Sequence, residues 1–152
     1  MPEQILYYQK QFHRLIYYSR ATPEVIADLD TVFPVLLEAA VRRNSANQIT
    51  GALLACNGWF LQILEGAYEK VLQTYDLIRN DRRHSAATVI KAGPVEERKF
   101  SNWSMCGQHL SPTDDAILEV LGSKRGFDPT QFNEATALNL LLAVAKIQSS
   151  KG

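Results

Sequence analysis

The apolar positions of this 152-residue chain change period along its length, and each change marks an element. Phe12-His13-Arg14-Leu15-Ile16-Tyr17-Tyr18-Ser19 is β-branched and aromatic enough for a first strand, preceded by residues 1–11 as an extension. Val35, Leu36, Ala39 and Ala40 then recur at helical spacing up to Arg42-Arg43, cations suited to a helix C-terminus, which predicts a helix over 31–43. Pro34 is tolerated best in a first turn, so the cap falls at Asp30 or Thr31, and Thr22-Pro23 opens an earlier turn. Residues 49–56 and 59–64 are strand-like runs joined by Asn57-Gly58. Both joining residues accept positive φ, which predicts an antiparallel hairpin. Tyr68, Val71, Leu72, Tyr75 and Ile78 outline an amphipathic helix over 67–80. Thr88-Val89-Ile90 and residues 100–107 read as strands on either side of the charged connection Glu96-Glu97-Arg98-Lys99.

The order β-α-β-β-α-β-β predicts an α+β, ferredoxin-like sheet with an extra strand and two helices on one face. The tail can cover the other face. Ser111-Pro112-Thr113-Asp114 reads as a cap with proline at the first helical position, leading into a helix whose apolar side is Ala116, Ile117, Val120 and Leu121. A last helix over 130–148 carries Leu138, Leu141, Leu142 and Ala145, with Gly122, Gly126 and Pro129 punctuating the gap. The expected organisation is a sheet-bearing core over 12–108 and a helical extension over 109–152 in the same compact unit.

Composition narrows the function classes. The chain is 46% hydrophobic, enough for one domain with a real core. Sixteen basic residues balance sixteen acidic ones, so there is no electrostatic case for nucleic acid or an anionic membrane. The start Met1-Pro2-Glu3-Gln4 has no signal-peptide pattern and no apolar run approaches a membrane span, which leads to the expectation of a cytoplasmic protein. Cys56 and Cys106 lack metal-type spacing and read as reduced structural thiols.

The chemistry starts with Gln62, a carboxamide inside the apolar run Trp59-Phe60-Leu61-Gln62-Ile63-Leu64-Glu65-Gly66. Buried, it needs partners for two donors and an acceptor. Tyr17, Asn44, Trp103 and Met105 lie in segments that can converge on it. A phenol, two carboxamides, an indole and a thioether include no strong base, good nucleophile or usual metal set, which argues against hydrolysis. They do suit a flat heteroaromatic ligand, its polar edge met by carboxamides and its faces by apolar helix sides.

Five segments, in order, resemble one known family: residues 12–19, Asn44-Ser45-Ala46-Asn47-Gln48-Ile49-Thr50-Gly51, Phe60-Leu61-Gln62-Ile63-Leu64-Glu65-Gly66, Asp81-Arg82-Arg83-His84 and Phe100-Ser101-Asn102-Trp103-Ser104-Met105. Together they resemble the BLUF domain, a blue-light sensor that uses FAD. The resemblance covers about residues 12–108. It implies FAD as cofactor, with FMN as the alternative, Tyr17 as electron donor to the excited flavin, and Gln62 as the hydrogen-bond switch between them. It also implies Asn44 at the ring's carbonyl and imide edge, Leu36 and Ile78 flanking the ring, and Arg83, His84 and Asp81 near the ribityl and phosphate groups. Trp103 and Met105 are implied as the relay on the last strand, one of them facing the flavin at a time. Arg43 stands where many members have a smaller polar residue. With roughly 40 tail residues, too few for a cyclase or phosphodiesterase, output is expected through a protein effector or a homo-oligomer. The rival classes are a flavin-free interaction module and an acylphosphatase-like enzyme, for which no anion-binding loop with a catalytic pair is present in the sequence.

Overall fold

The computed structural model describes residues 12–122 and 126–151; the predicted extension over 1–11 lies outside them. The elements run β1 (Phe12–Ala21), α1 (Pro23–Ala27), α2 (Leu29–Asn47), β2 (Thr50–Cys56), β3 (Trp59–Gly66), α3 (Tyr68–Arg79), β4 (His84–Val95), β5 (Cys106–Leu110), α4 (Asp115–Leu121), a 3₁₀ turn (Pro129–Gln131) and α5 (Glu134–Lys151). The five-stranded sheet has the order β4-β1-β3-β2-β5. Its pairs are antiparallel except β2–β5, which is parallel. This is the α+β, ferredoxin-like arrangement the hydrophobic pattern predicts.

The β2–β3 hairpin turns where expected, with Asn57 at φ 54° and Gly58 at φ 81°. Its register places Leu53 opposite Gln62, and β1 adds Tyr17 on the other side of that residue. Alternation then sorts the two faces. Leu15, Tyr17, Phe60 and Leu64 pack toward α2 and α3, in one cluster with Phe33, Ala40, Val71 and Ile78. Ile16, Leu61, Ile63 and Leu54 pack in the other cluster with Ile117, Leu140, Leu141 and Val144 from the tail helices.

Several boundaries differ from those predicted. Helix α2 begins at Leu29 rather than at 31 and puts Pro34 in its second turn, not its first. Pro34 and Asp30, whose carbonyl loses its ladder donor, are both exposed, so water can satisfy that group. The helix also runs past Arg43 to Asn47, closed by Gln48 in the left-handed region, whose N–H lies against the Asn44 and Ser45 carbonyls. Asn44 is therefore on the helix and not in the loop after it. Strand β4 is twelve residues long instead of three, because pairing with β1 carries it from His84 to Val95. Strand β5 begins only at Cys106, so Trp103 and Met105 precede it. The backbone of 99–105 bonds elsewhere, to the Glu65 carboxylate, to Gly51 N–H and to the Asn44 amide. Pro112 is not at a helical first position; Ser111–Asp114 forms a turn through Ser111 N–H to Asp114 Oδ2 (2.8 Å), and α4 starts at Asp115. The last helix starts at Glu134, after Asn133 Oδ1 accepts Thr136 N–H at 2.9 Å.

Candidate functional site

Between α2, α3 and the sheet lies a cleft. Its floor is Tyr17, Leu53, Phe60 and Gln62; α2 supplies Leu36, Ala39, Ala40 and Arg43; the end of α3 and the turn after it supply Ile78, Asp81, Arg83 and His84. Leu36, Ala39, Ala40 and Arg43 share a face by helical spacing, and the two alanines leave width between helix and floor. The walls are mostly apolar and the charged groups stand at its ends, the character of a site for a flat ring with a polar tail.

On the floor, Tyr17 Oη donates to Gln62 Oε1 at 2.5 Å. Gln62 Nε2 donates to Met105 Sδ at 3.4 Å. The two side chains are only 2% and 3% exposed. A carboxamide has a second N–H, and for Gln62 no protein acceptor meets it among the described residues; thioether sulfur is itself a weak acceptor. Burial, helped by the nearby phenol of Tyr75 and by Asp81 and opposed by Arg43, raises the Tyr17 pKa far above that of a free phenol. The hydroxyl thus stays a donor at any physiological pH.

Asn44 is fully buried and set back from the cleft wall. Its Nδ2 donates to Ser104 O at 3.0 Å and its Oδ1 accepts from Arg43 Nε at 3.4 Å. Next to it, Ser45 Oγ and Ser104 Oγ are 2.7 Å apart. Both contacts fasten the residue that precedes Met105. Met105 is buried on the cleft side of the sheet, with the sulfur against Gln62. Trp103 is half-buried against the opposite cluster, with its carbonyl accepting Gly51 N–H at 3.2 Å. Neither relay candidate lines the cleft itself, and of the two Met105 is the one that contacts Gln62. Its approach depends on Gly51: a Cβ there would meet Ile63 O at 1.9 Å and the Met105 methyl at 3.2 Å.

At the polar end, Arg83 binds the Asp81 carboxylate through Nη2 at 2.5 Å and through Nε at 2.9 Å. The Arg83 hydrogen bonds hold the Asp81 carboxyl below the usual carboxylate range, and Asp81 in turn raises the guanidinium. His84 Nε2 lies 2.5 Å from Ile78 O and its Nδ1 2.6 Å from Ser19 Oγ. A carbonyl only accepts, so Nε2 carries a proton; in the neutral ring Nδ1 then accepts the serine hydroxyl. With both nitrogens engaged, His84 offers a ligand only its ring. Arg43, whose ionisation is disfavoured by burial, stands on the α2 side of the cleft, its Nε donating to Asn44 Oδ1.

Sequence reasoning thus named Tyr17, Gln62, Leu36, Ile78, Asp81, Arg83 and His84, all of which line one cleft. It missed Ala39, Ala40, Leu53 and Phe60 as wall residues and treated Arg43 as a helix-end cation. Spacing from Leu36, and the positions opposite and two before Gln62, were the signals that could have found them.

Comparisons with known proteins agree on the kind of molecule this resembles. A family model described as "BLUF: Sensors of blue-light using FAD" matches residues 12–106. The photoactivated adenylate cyclase subunit beta of Euglena gracilis is 40% identical over 93 residues, 60% of this chain and 10% of that one. The chain therefore spans about a tenth of the length of the curated relatives it matches. Among solved structures, the photo-activated state of BlsA superposes with a TM-score of 0.74 at 26% identity, covering 88% of this chain and 94% of that one. The dark state of BlrB, a BLUF protein, gives 0.65 at 26% identity, covering 90% and 98%.

Proposed function

Because this chain belongs to the BLUF family of blue-light flavin sensors, we propose that it is a photoreceptor that binds FAD in the α2–α3 cleft and signals through Tyr17 and Gln62. The observation that carries the reading is the buried Tyr17–Gln62 hydrogen bond on the cleft floor, with a Gln62 N–H left over for a ligand acceptor. A buried carboxamide N–H without a partner is costly, and a flavin's carbonyl and ring-nitrogen edge supplies what it needs. Leu36 and Ile78 would hold the ring faces, Gln62 its polar edge with Asn44 behind, and Arg83, Asp81 and the His84 ring the polar tail.

Flavin bound there supplies absorption of blue light and, once excited, a strong one-electron oxidant. Tyr17 is the donor suited to it. Burial keeps the phenol protonated at rest, whereas an oxidised phenol is a strong acid, and its proton has a short path along the 2.5 Å bond to Gln62 Oε1. Once the phenol is reduced again it would be reprotonated in one of two ways: the same proton comes back from Oε1 and the carboxamide is left rotated, or Oε1 keeps that proton, the side chain rotates and Nε2 gives one of its own to Tyr17, which leaves the imidic isomer. Both outcomes change which Gln62 atom faces the cleft and which faces Met105 Sδ. Met105 and Trp103 then carry the change along residues 101–105.

The described tail covers the sheet with α4 and α5 and is spent on that packing. We assign no catalytic output to these tail helices and infer that the signal passes to a protein effector or a second copy of the chain. No helix among the described residues is long and apolar enough to cross a membrane. The balanced charge and the thiol character of Cys56 and Cys106 suit a cytoplasmic protein.

Purified protein loaded with FAD is expected to be yellow, to shift its flavin bands to longer wavelength under blue light, and to recover in darkness. An unchanged spectrum in flavin-loaded protein overturns the reading. Chromatography of the flavin released from protein expressed without supplement separates FAD from FMN.

A further inference from the structure

Glu65 is the penultimate residue of β3 and is fully buried, so its charge must be met in full. Arg14, on the neighbouring strand and 9% exposed, donates Nε to Oε2 at 2.8 Å. The other oxygen takes two backbone donors, Lys99 N–H at 2.8 Å and Phe100 N–H at 2.9 Å. These belong to the crossover that carries the chain from β4, at one edge of the sheet, to β5 at the other. The crossover is also tied by Arg98, which donates to Thr50 Oγ1, Glu65 O and Gln48 O, and by Arg14 Nη2 to Glu97 O.

Five residues beyond Phe100 comes Met105, and Cys106 is fixed by its pairing with Ala52. Residues 101–105 thus span two fixed points. Between these, the bonds are neutral: Gly51 N–H to Trp103 O, Asn44 Nδ2 to Ser104 O, and the Ser45–Ser104 hydroxyl pair. Neutral hydrogen bonds are about half as strong as those to an ionised acceptor. Stability alone does not account for the ion pair, since well-packed apolar residues often replace such a pair at no loss. We propose that Glu65 is a positioning residue: by anchoring Lys99 and Phe100 it fixes the register of 101–105, and so decides that Met105 and not Trp103 stands against Gln62. This rests on the photoreceptor reading above.

The test compares two double variants of the FAD-loaded full chain in a Trp59→Phe background, which leaves Trp103 as the sole indole. Arg14→Met with Glu65→Leu removes charge and anchor together. Arg14→Gln with Glu65→Gln removes the charges but keeps a carboxamide oxygen for the two N–H groups. The first is expected to shift Trp103 emission and change the dark-recovery rate by roughly tenfold or more, the scale of one lost hydrogen bond to a charged group. The second should stay near the parent. A purely structural Glu65 would lower the Tm of the first variant and leave emission and recovery unchanged, which overturns the inference. A parent protein with no light-induced shift overturns the photoreceptor reading itself, and this inference with it. Hydrogen exchange on the unmodified chain needs no variant to fold: Lys99 and Phe100 amides should be protected in darkness and in light, with light-dependent changes starting at Ser101. Loop-like exchange at 99 and 100 in darkness overturns the anchor.

Discussion

Neighbouring residues on the central strands meet opposite chemistry. Ile16, Leu61 and Ile63 face an apolar cluster closed by Leu140, Leu141 and Val144, which includes the thiols of Cys56 and Cys106, and by alternation along β1 and β3 the Arg14–Glu65 ion pair lies on the same face. Tyr17 and Gln62, one residue away from each, face a cleft with a phenol, a carboxamide, two guanidinium groups, a carboxylate and an imidazole. The same two strands therefore carry stability on one side and the responsive groups on the other. The apolar side anchors the strands whose other side carries the Tyr17–Gln62 hydrogen bond. If that division is real, substitutions should separate the two properties.

The largest effect on stability is expected from the apolar face. Leu141→Ala removes a fully buried side chain and should cost about 2–5 kcal/mol in urea unfolding, while the light-induced shift keeps its form in the folded protein. Tyr17→Phe should do the reverse. It leaves Gln62 Oε1 without its donor, a cost of roughly 1–3 kcal/mol, and abolishes the light response while flavin stays bound. Tyr18→Phe is the control on the other face, where the ring packs edge-on to Trp59 at 5.7 Å between centroids; its light response should match the unmodified chain. Gln62→Leu should retain flavin and lose the normal shift; a difference spectrum like that of the unmodified chain would remove the carboxamide from the mechanism.

The smallest effect is alkaline. Burial raises the Cys56 thiol from 9.0 to about 12 and Cys106 to about 11, and raises Tyr17 above its ordinary 10.0. The folded chain keeps these protons while the unfolded chain releases them, so stability is intact below about pH 9 and falls as pH rises beyond it. Unfolding curves across that range should show the part above pH 10 reduced in Tyr17→Phe.

What could be foreseen from the sequence was what depends on local geometry. Asn57-Gly58 announces its own turn because few residue pairs accept two positive φ values, and 12–19 is β-prone along its whole length. Strand β4 was foreseen only at Thr88-Val89-Ile90, since Ser85, Gly93 and Pro94 are poor strand formers held extended by their pairing with β1, and Ala86 at φ 55° marks an irregularity in that pairing. The reverse holds for 100–105, strand-like in composition but bonded to a carboxylate and an amide that no local pattern reveals. Helix α2 outran its prediction because Asn44, Ser45 and Asn47 are weak helix formers, and the ending is set by Gln48. As for the site, spacing alone could not separate Leu36 or Ile78 from ordinary core. Gln62 stood out as a carboxamide in an apolar run and Tyr17 by resemblance, and their pairing became visible only in the sheet register.

That register also fixes an order of assembly. The β2–β3 hairpin closes over a two-residue turn and can form early, but Tyr17 lies 45 residues before Gln62 and reaches it only when β1 docks on the finished hairpin. The cleft floor therefore does not exist in a nascent or half-folded chain. A ligand that needs both residues is captured late, so supplying it during refolding should raise the yield of the native state by trapping the product rather than speed the first steps of collapse.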